Sequence, residues 1–317
     1  MLSLEDEQQY WVSYYSIRRP AMIQDYCNSV YFVILHYITI EDTVACVNSL
    51  LKLDNNDKVN IVIVDNNSPN GTGKVLEEKY NTKNTISVIL LNENVGFAKG
   101  NNIGYTFAKN RGAEFIIVLN SDTEIRQLDF INRMVDKYRT TDYDILGPDI
   151  VDLNGNRQNP HRDEGFTIKD VNRIIRNRTI ILTYLKILER LRCQNKIKLL
   201  TWLEHMHVQS EQKYIERDEE RENVVLQGSF YVFSPSFIKD NSEAYYPGTF
   251  MYLEEEILYY LSMKKKYRII YTPEIQVLHK WQGSTKATMK SDYDKLRSET
   301  EWTLQSAKVF KKLLLER

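Results

Sequence analysis

Residues 115–125 read FIIVLNSDTEI. Five apolar residues, Phe115 to Leu119, run straight into Asn120-Ser121-Asp122-Thr123-Glu124. A short, unbroken apolar run of this kind reads as a strand covered on both faces, as in parallel sheets. Three similar runs precede it: Val30–Leu35 (VYFVIL), Val59–Val64 (VNIVIV) and Ile86–Leu91 (ISVILL). Between them lie stretches with apolar residues at helical spacing: EDTVACVNSLL, with Val44, Val47, Leu50 and Leu51, then GKVLEEKY, then the segment through Ile103–Lys109. Strands alternating with helices predict βαβ units and a mostly parallel sheet. Ligands of such sheets bind beyond the carboxyl ends of the strands. Three of those ends are polar here: DNNS, NENVGFAKGNN and NSDTE. Parallel strands would gather all three at one edge, so the polar knot after Leu119 is expected to be the rim of a pocket.

The pattern changes after Gly147-Pro148. Residues 166–222 read as helical and charged, with ten Lys/Arg against four Asp/Glu between Arg162 and Lys198. Then come a strand-like stretch (Val224–Phe233), a helix (Glu254–Lys264), a strand (Tyr267–Tyr271) and the strand-like IQVL. An amphipathic helix, Ser291–Arg317, follows with Ser291 as its N-cap. Tyr10, Trp11, Tyr14 and Tyr15 suggest that residues 1–27 form a short helical extension that docks by its aromatics.

The bulk numbers narrow the field. The chain has 317 residues, 42% of them apolar and 27% charged, with a net charge of −1. That balance is ordinary for a globular protein and supplies no global field toward nucleic acid. Cys27, Cys46 and Cys193 are far apart and form no CxxC pair, which suggests neither a zinc knuckle nor a disulfide framework and fits a reducing cytoplasm. The start, MLSLEDEQQY, is acidic where a signal peptide would be basic. No run approaches the roughly 18 apolar residues of a membrane span.

Several residues carry candidate chemistry. Asp122 follows a strand end, where an acid serves packing poorly; it is either an exposed turn acid or a ligand for Mg2+ or Mn2+, hard cations that take oxygen. NENVGFAKGNN combines Gly96 and Gly100 with Asn92, Asn94, Asn101, Asn102 and Lys99, polar groups on a backbone free to turn tightly. Its spacing is neither GxGxxG nor a P-loop. Asp65 ends the second strand, where an acid can reach a ribose, although DNNSPNG is also a plain turn. Glu254-Glu255-Glu256 reads as a solvated helix face, yet its flanks (Phe250, Tyr252, Tyr259, Tyr260) leave room for a half-buried acid. Burial would raise its pKa toward general-base work. His279 follows IQVL, and Trp281, Gly283, Ser284 and Thr285 make a polar loop that could close over a site.

Taken together, IVDNNSPNGT, LNENVGFAKGNN, VLNSDTEI, LQGSFYVF, FMYLEEEIL and YTPEIQVLH resemble glycosyltransferase family 2, the inverting enzymes of GT-A fold, and most closely its bacterial rhamnosyltransferase-like branch. The resemblance spans about residues 30–285. It implies an α/β fold of GT-A type: residues 28–150 as the nucleotide-sugar-binding half, and 151–290 as the acceptor-binding half with a helical insert at about 166–222. Residues 291–317 form the C-terminal helix. It implies a nucleotide-sugar donor (dTDP- or UDP-linked) contacted by Asp65 and Asn67, by the turn of His36 and Thr39, and by Asn94, Gly96, Lys99 and Asn102. Asn120-Ser121-Asp122 takes the place of the family's Asp-x-Asp motif with its first acid replaced, so Asp122 and His279 are the implied metal ligands for Mg2+ or Mn2+. Gln227 and Gly228 fall beside the transferred sugar. Glu254-Glu255 matches the family's Glu-Asp pair, with Glu255 as the general base. The acceptor is a saccharide hydroxyl, free or lipid-linked, in surface polysaccharide synthesis.

Other readings stay open at this point. A sugar nucleotidyltransferase would need a glycine-rich loop after the first strand, and LHYITIEDT has no glycine. A non-catalytic nucleotide-sugar-binding or scaffold protein finds its best argument in Asn120. The basic region is either a solvated insert shaping the acceptor site or a peripheral contact at the inner face of the plasma membrane. The C-terminal helix buries its stripe on its own domain or on a second subunit of a homodimer.

Overall fold

The computed structural model describes residues 29–191, 217–280 and 291–316. The expectations for the N-terminal aromatics, for the later part of the helical insert and for the Trp281–Thr285 loop lie outside the described residues. The four expected strands are present as β1 (Val30–His36), β2 (Val59–Asp65), β3 (Ile86–Leu90) and β4 (Phe115–Asn120). Between them run α1 (Ile40–Leu50), α2 (Thr72–Tyr80) and α3 (Phe97–Asn110). Then follow β5 (Thr123–Glu124), α4 (Phe130–Thr141), β6 (Ile145–Val151), α5 (Ile168–Arg190), β7 (Arg221–Glu222) and β8 (Phe230–Phe233). The described chain closes with α6 (Pro235–Asp240), α7 (Glu254–Lys264), β9 (Ile269–His279) and α8 (Asp292–Leu315).

Among the described residues, the nine strands form one sheet, in the order β3-β2-β1-β4-β8-β6-β9-β5, with β7 on β9. β1 to β4 are mutually parallel, as the continuous apolar runs require. Register aligns their carboxyl ends: His36 pairs with Asp65, Leu35 with Asn120, and Asp65 with Leu90. β8 enters antiparallel between β4 and β6 and stitches the first four strands to the rest.

Because successive strand residues face opposite sides, the sheet carries two cores. Phe32, Ile34, Ile61, Ile63, Ile117 and Leu119 pack with Cys46, Val47 and Leu50 of α1 and Phe130 and Met134 of α4. Val33, Val62, Val64, Ile116 and Val118 pack on the other side with Ala98, Tyr105 and Ala108 of α3 and Leu258 of α7. The result is a three-layer α/β arrangement.

Three features depart from the sequence reading. Gly147-Pro148, read as a break, lies inside β6, and the YRIIY and IQVL stretches fuse into a single β9. Both prolines, Pro148 and Pro273, sit where the β6–β9 register jumps from Pro148/Thr272 to Asp149/Gln276. A bulge is where a strand tolerates proline, because no ladder hydrogen bond is asked of it. Conversely, Val224–Phe233 is not one strand: Val225 makes an isolated bridge to Arg162, and β8 begins only at Phe230.

The insert begins as expected with a long helix. Thr167 caps α5 through a reciprocal box with Asp170. Ser291 caps α8, accepting the Asp294 N–H. α8 buries its apolar stripe within the chain: Ala307, Phe310 and Leu313 pack with Val171 of α5 and Leu253 and Ile257 at the head of α7, while Tyr293 and Leu296 pack with Leu185.

Candidate active site

The site is built where the parallel strands stop. Past β1, the chain turns at Ile38, whose φ of 70° puts a β-branched residue in left-handed space. Two side chains hold it there: its N–H donates to Ser68 Oγ (2.9 Å), and Asn70 donates to its carbonyl (3.0 Å). His36 is fully buried, with Nδ1 2.7 Å from Thr43 Oγ1 and Nε2 2.9 Å from Thr72 Oγ1. Burial lowers its pKa against the opposing pull of Asp65, so the ring is neutral and spent on the two threonines. Thr39, at the head of α1, stays half-exposed on the rim.

Asp65 is buried and accepts from Ser68 N–H (3.2 Å) and Ser68 Oγ (2.5 Å). Gly73 makes room for it: a Cβ there would stand 2.1 Å from its Oδ2. Asn67 is exposed at φ 59°, a conformation asparagine tolerates. Its neighbour Asn66, which the sequence reading passed over, is the residue that ties two loops. It accepts the Val95 N–H (2.9 Å) and donates to the Gly96 carbonyl (3.3 Å).

The NENVGFAKGNN stretch divides by role. Asn94 accepts the Gly96 N–H (3.0 Å), shaping the turn, and Lys99 is exposed. Asn102 is buried, and its amide is spent on the backbone of Tyr245, donating at 2.8 Å and accepting at 2.9 Å. It clamps α3 to the second half of the chain. Gly96 makes the second such link, since the adjacent Phe97 N–H donates to the Phe250 carbonyl (2.7 Å).

Asn120 ends β4, and its N–H donates to the Ser229 carbonyl (2.9 Å); Ser121 is half-buried beside it. Asp122 is buried with His279, Oδ1 lying 3.3 Å from Nε2. β5 and β9 bring this pair together, because Thr123 sits opposite His279 in their antiparallel ladder. Burial works against the Asp122 charge, but the hydrogen bond and charge of His279, and then Lys280, outweigh it, and the pKa falls below its usual value. His279 Nδ1 lies 3.0 Å from Gln158 Oε1. That oxygen accepts, so Nδ1 carries a proton, and Nε2, which here hydrogen-bonds Asp122, is the nitrogen that would give up its proton to ligate a cation.

Across from this pair, Gln227 accepts from Ser229 N–H (2.7 Å) and Oγ (2.5 Å), and its own N–H donates to Asn159 Oδ1 (3.0 Å). A Cβ on Gly228 would stand 3.7 Å from Glu255 Oε2. The turn Gln227–Ser229 therefore touches Asn120 on one side and Glu255 on the other, joining residues far apart in sequence.

The triple acid is not a solvated face. Glu254 and Glu256 are buried and Glu255 is half-buried. Desolvation, then the charge of Glu255, pushes Glu254 up to about 8. Glu255 is also raised by burial, with its own backbone N–H and Arg162 opposing. Glu256 is paired with Arg162 and accepts the Phe166 N–H (3.2 Å). Arg162 in turn lies over the Phe166 ring, 3.7 Å from its centroid. Just ahead of Glu254, Tyr252 and Leu253 are consecutive left-handed residues, at φ 74° and 67°. Such strain costs of order 1–3 kcal/mol per residue and collects at functional sites.

Among the described residues, two arrangements could hold a cation. Asp122 and His279 offer a carboxylate oxygen and an imidazole nitrogen side by side and buried, a mixed donor set that suits Mn2+ better than the all-oxygen-seeking Mg2+ when diphosphate oxygens and water complete the shell. His161, Glu255 and Glu256 also bring ligand atoms within 4.8 Å of one another. There, however, Arg162 already balances Glu256, so a second cation would meet a positive charge.

Comparison with known proteins places this geometry in a family. The sequence profile described as glycosyl transferase family 2 matches residues 31–210, more than half of the chain. A curated relative, dTDP-rhamnosyl transferase RfbF of Shigella flexneri, is 28% identical over 153 residues, 44% of this chain and 49% of the relative, so the match spans about half the relative's length. Among solved structures, S. aureus TarS in complex with UDP is similar with a TM-score of 0.50 at 14% identity, over 87% of this chain and 69% of that one. GalNAc-T7 with UDP, GalNAc and Mn2+ is similar with a TM-score of 0.53 at 14% identity, over 95% of this chain and 56% of that one. At such identities the structural likeness speaks for the fold, and with the matching profile it shows that the chain belongs to glycosyl transferase family 2 and has the GT-A fold.

Proposed function

We propose that this chain transfers a sugar, with rhamnose favoured, from a dTDP- or UDP-linked donor to a hydroxyl of a saccharide acceptor, inverting the anomeric centre, in the assembly of a bacterial surface polysaccharide. The observation that carries the reading is the turn Gln227–Ser229, which links the strand edge of Asn120 to the acid Glu255. The relative that acts as a dTDP-rhamnosyl transferase supports the donor class and the sugar. The neighbours solved with UDP support a nucleoside diphosphate on this fold.

In this reading Asp65 and the turns of Ile38–Thr39 and Asn94–Gly96 receive the nucleoside, and Gln227 and Gly228 border the transferred sugar. Asp122 and His279 would hold the divalent cation, with Gln158 fixing the tautomer of His279. A cation bound there would neutralise the diphosphate and stabilise it as a leaving group. Two neighbouring carboxyls do not both ionise freely. Glu254, at about 8, keeps its proton near neutrality and leaves the negative charge to Glu255, steadied by Arg162. Glu255 takes the proton of the acceptor hydroxyl, and the oxygen attacks the anomeric carbon opposite the departing diphosphate. One such displacement inverts the centre.

Asn120, in place of an acid, favours a second reading in which the fold binds a nucleotide sugar without turnover. His279 weighs against it, because it restores a second ligand beside Asp122. A thermal-shift panel of nucleotide sugars with and without Mn2+, followed by a product assay, tests both. Mn2+-dependent stabilisation by a dTDP- or UDP-sugar and formation of an inverted product are expected. Donor binding without product on any saccharide acceptor would favour the second reading, and no stabilisation by any nucleotide sugar would sink both.

A further inference from the structure

α5 has two unlike faces. One is buried: Val171 packs with α8 and the head of α7, Leu185 packs with α8, and Leu188 is buried on the same side. On the other, Ile180, Ile187 and Leu191 are 61%, 46% and 66% exposed. Their spacing of seven and four residues sets them in one stripe. Arg173 and Arg176 continue that stripe toward the N-terminus, and Lys186 and Arg190 flank it; all four are exposed. The helix carries six Lys/Arg against two Asp/Glu. Both acids are engaged: Asp170 in the capping box and with Arg173 (3.3 Å), Glu189 with Arg297 of α8 (3.1 Å).

We propose that this face of α5 docks on an anionic lipid surface, lying in the headgroup plane with Ile180, Ile187 and Leu191 inserted and the arginines and lysine on the phosphates. Exposed aliphatic side chains among basic ones are the pattern of a helix that lies on a membrane. No helix among the described residues is long and apolar enough to cross one. A second copy of the chain fits poorly, because a two-fold contact would set this basic stripe against itself. A soluble polyanion would use the arginines and leave the three aliphatics in water.

The docking stands independently of the transfer reading. What rests on that reading is its use: the buried side of α5 touches Leu253 and Ile257, at the head of the helix that bears Glu255. Docking on this face would hold that helix about one helix diameter (~10 Å) from the lipid surface, within reach of a saccharide carried on a lipid.

The test is co-sedimentation of the full chain with vesicles of phosphatidylcholine alone and of equimolar phosphatidylcholine and phosphatidylglycerol, at low and high salt. Pelleting only with the anionic vesicles, reversed by salt, is expected. Replacing Arg176, Lys186 and Arg190 by Gln should weaken partitioning roughly a hundredfold, from about 1 kcal/mol per basic residue near the surface. Ile180→Ser with Ile187→Ser should weaken it roughly tenfold or more, while unfolding temperature and any nucleotide-sugar stabilisation stay unchanged because every altered side chain is exposed. Absence of pelleting at low salt, or indifference to both sets of changes, overturns the proposal. So does self-association, by light scattering, that the Ile changes abolish, or heparin binding that needs these basic residues while vesicle binding does not.

Discussion

Gly96→Ala tests whether the two halves of the site are mechanically joined. Gly96 has φ 84° and ψ −177°, a region essentially reserved for glycine, so any side chain there costs about 1–3 kcal/mol in backbone strain. The new Cβ would stand 2.3 Å from the Phe250 carbonyl oxygen, and the carbonyl must retreat. That carbonyl accepts the Phe97 N–H at 2.7 Å, and losing the bond adds about 0.5–1.5 kcal/mol. The sum is roughly 2–4 kcal/mol. At about 2–4 °C per kcal/mol for a chain of this order of size, the unfolding temperature should drop by roughly 4–16 °C. Gly155→Ala is the control: its φ is 82°, but nothing lies within 4 Å of its Cβ position. It should cost only the left-handed penalty of about 1–2 kcal/mol. Phe250 leads through Met251, Tyr252 and Leu253 into Glu254, so its retreat should also re-aim Glu255 and lower turnover in Gly96→Ala alone. Equal melting shifts for the two variants, or full turnover in Gly96→Ala, would refute the linkage.

Three further outcomes follow from the site. Glu255→Gln should lower turnover by about 10²–10⁴-fold, the usual worth of a positioned base, with donor affinity by calorimetry retained; unchanged turnover removes Glu255 from that role. Glu254 has a folded pKa near 8, above its unfolded value. The folded state therefore holds an extra proton between those two values, and stability should fall as pH rises through that window. Glu254→Gln should flatten this dependence and melt higher than wild type at alkaline pH; parallel melting curves from acid to alkaline pH would contradict it. Asp122→Asn should weaken Mn2+-dependent binding of a nucleoside diphosphate by at least about 10–100-fold, the range for losing even an outer-shell partner of a metal site, and leave metal-free binding alone. An equal loss without Mn2+ would place Asp122 outside the metal site.

The first four strands were legible because strands buried on both faces must be continuously apolar, and β1 to β4 are. The same logic placed the polar strand ends together, and the register of His36, Asp65 and Asn120 sets them at one edge of the sheet. β6 was not legible, because Gly147-Pro148 signals a break unless a bulge absorbs the proline, and the bulge depends on a partner strand more than a hundred residues on. α4 was visible in principle: Phe130, Ile131, Met134, Val135 and Tyr138 keep helical spacing. Within the site, the structure brings Asp122 and His279, singled out together in the sequence, side by side, whereas the roles of adjacent asparagines were not separable. Asn66 and Asn67 differ only in which one turns inward, and Asn102 looks like any loop amide until Tyr245 arrives from across the chain. Arg162 gave no local signal of its pairing with Glu256, a residue remote in sequence.

The least legible feature is the strain at the head of α7. Nothing in the letters Tyr252-Leu253 announces two successive left-handed residues, because neither type favours that conformation. A strained turn persists only when its surroundings over-determine it, and here they come from the far end of the chain. Ser306 donates to the Met251 carbonyl (2.9 Å), Trp302 lies 5.3 Å from the Phe250 ring, and Leu253 is buried against Ala307 and Phe310. Phe250 is at the same time gripped by Phe97 from the opposite side. α8 thus does more than cover an apolar patch. It holds the turn that leads into Glu254 and Glu255, so an amphipathic helix with no chemistry of its own bears on where those acids point.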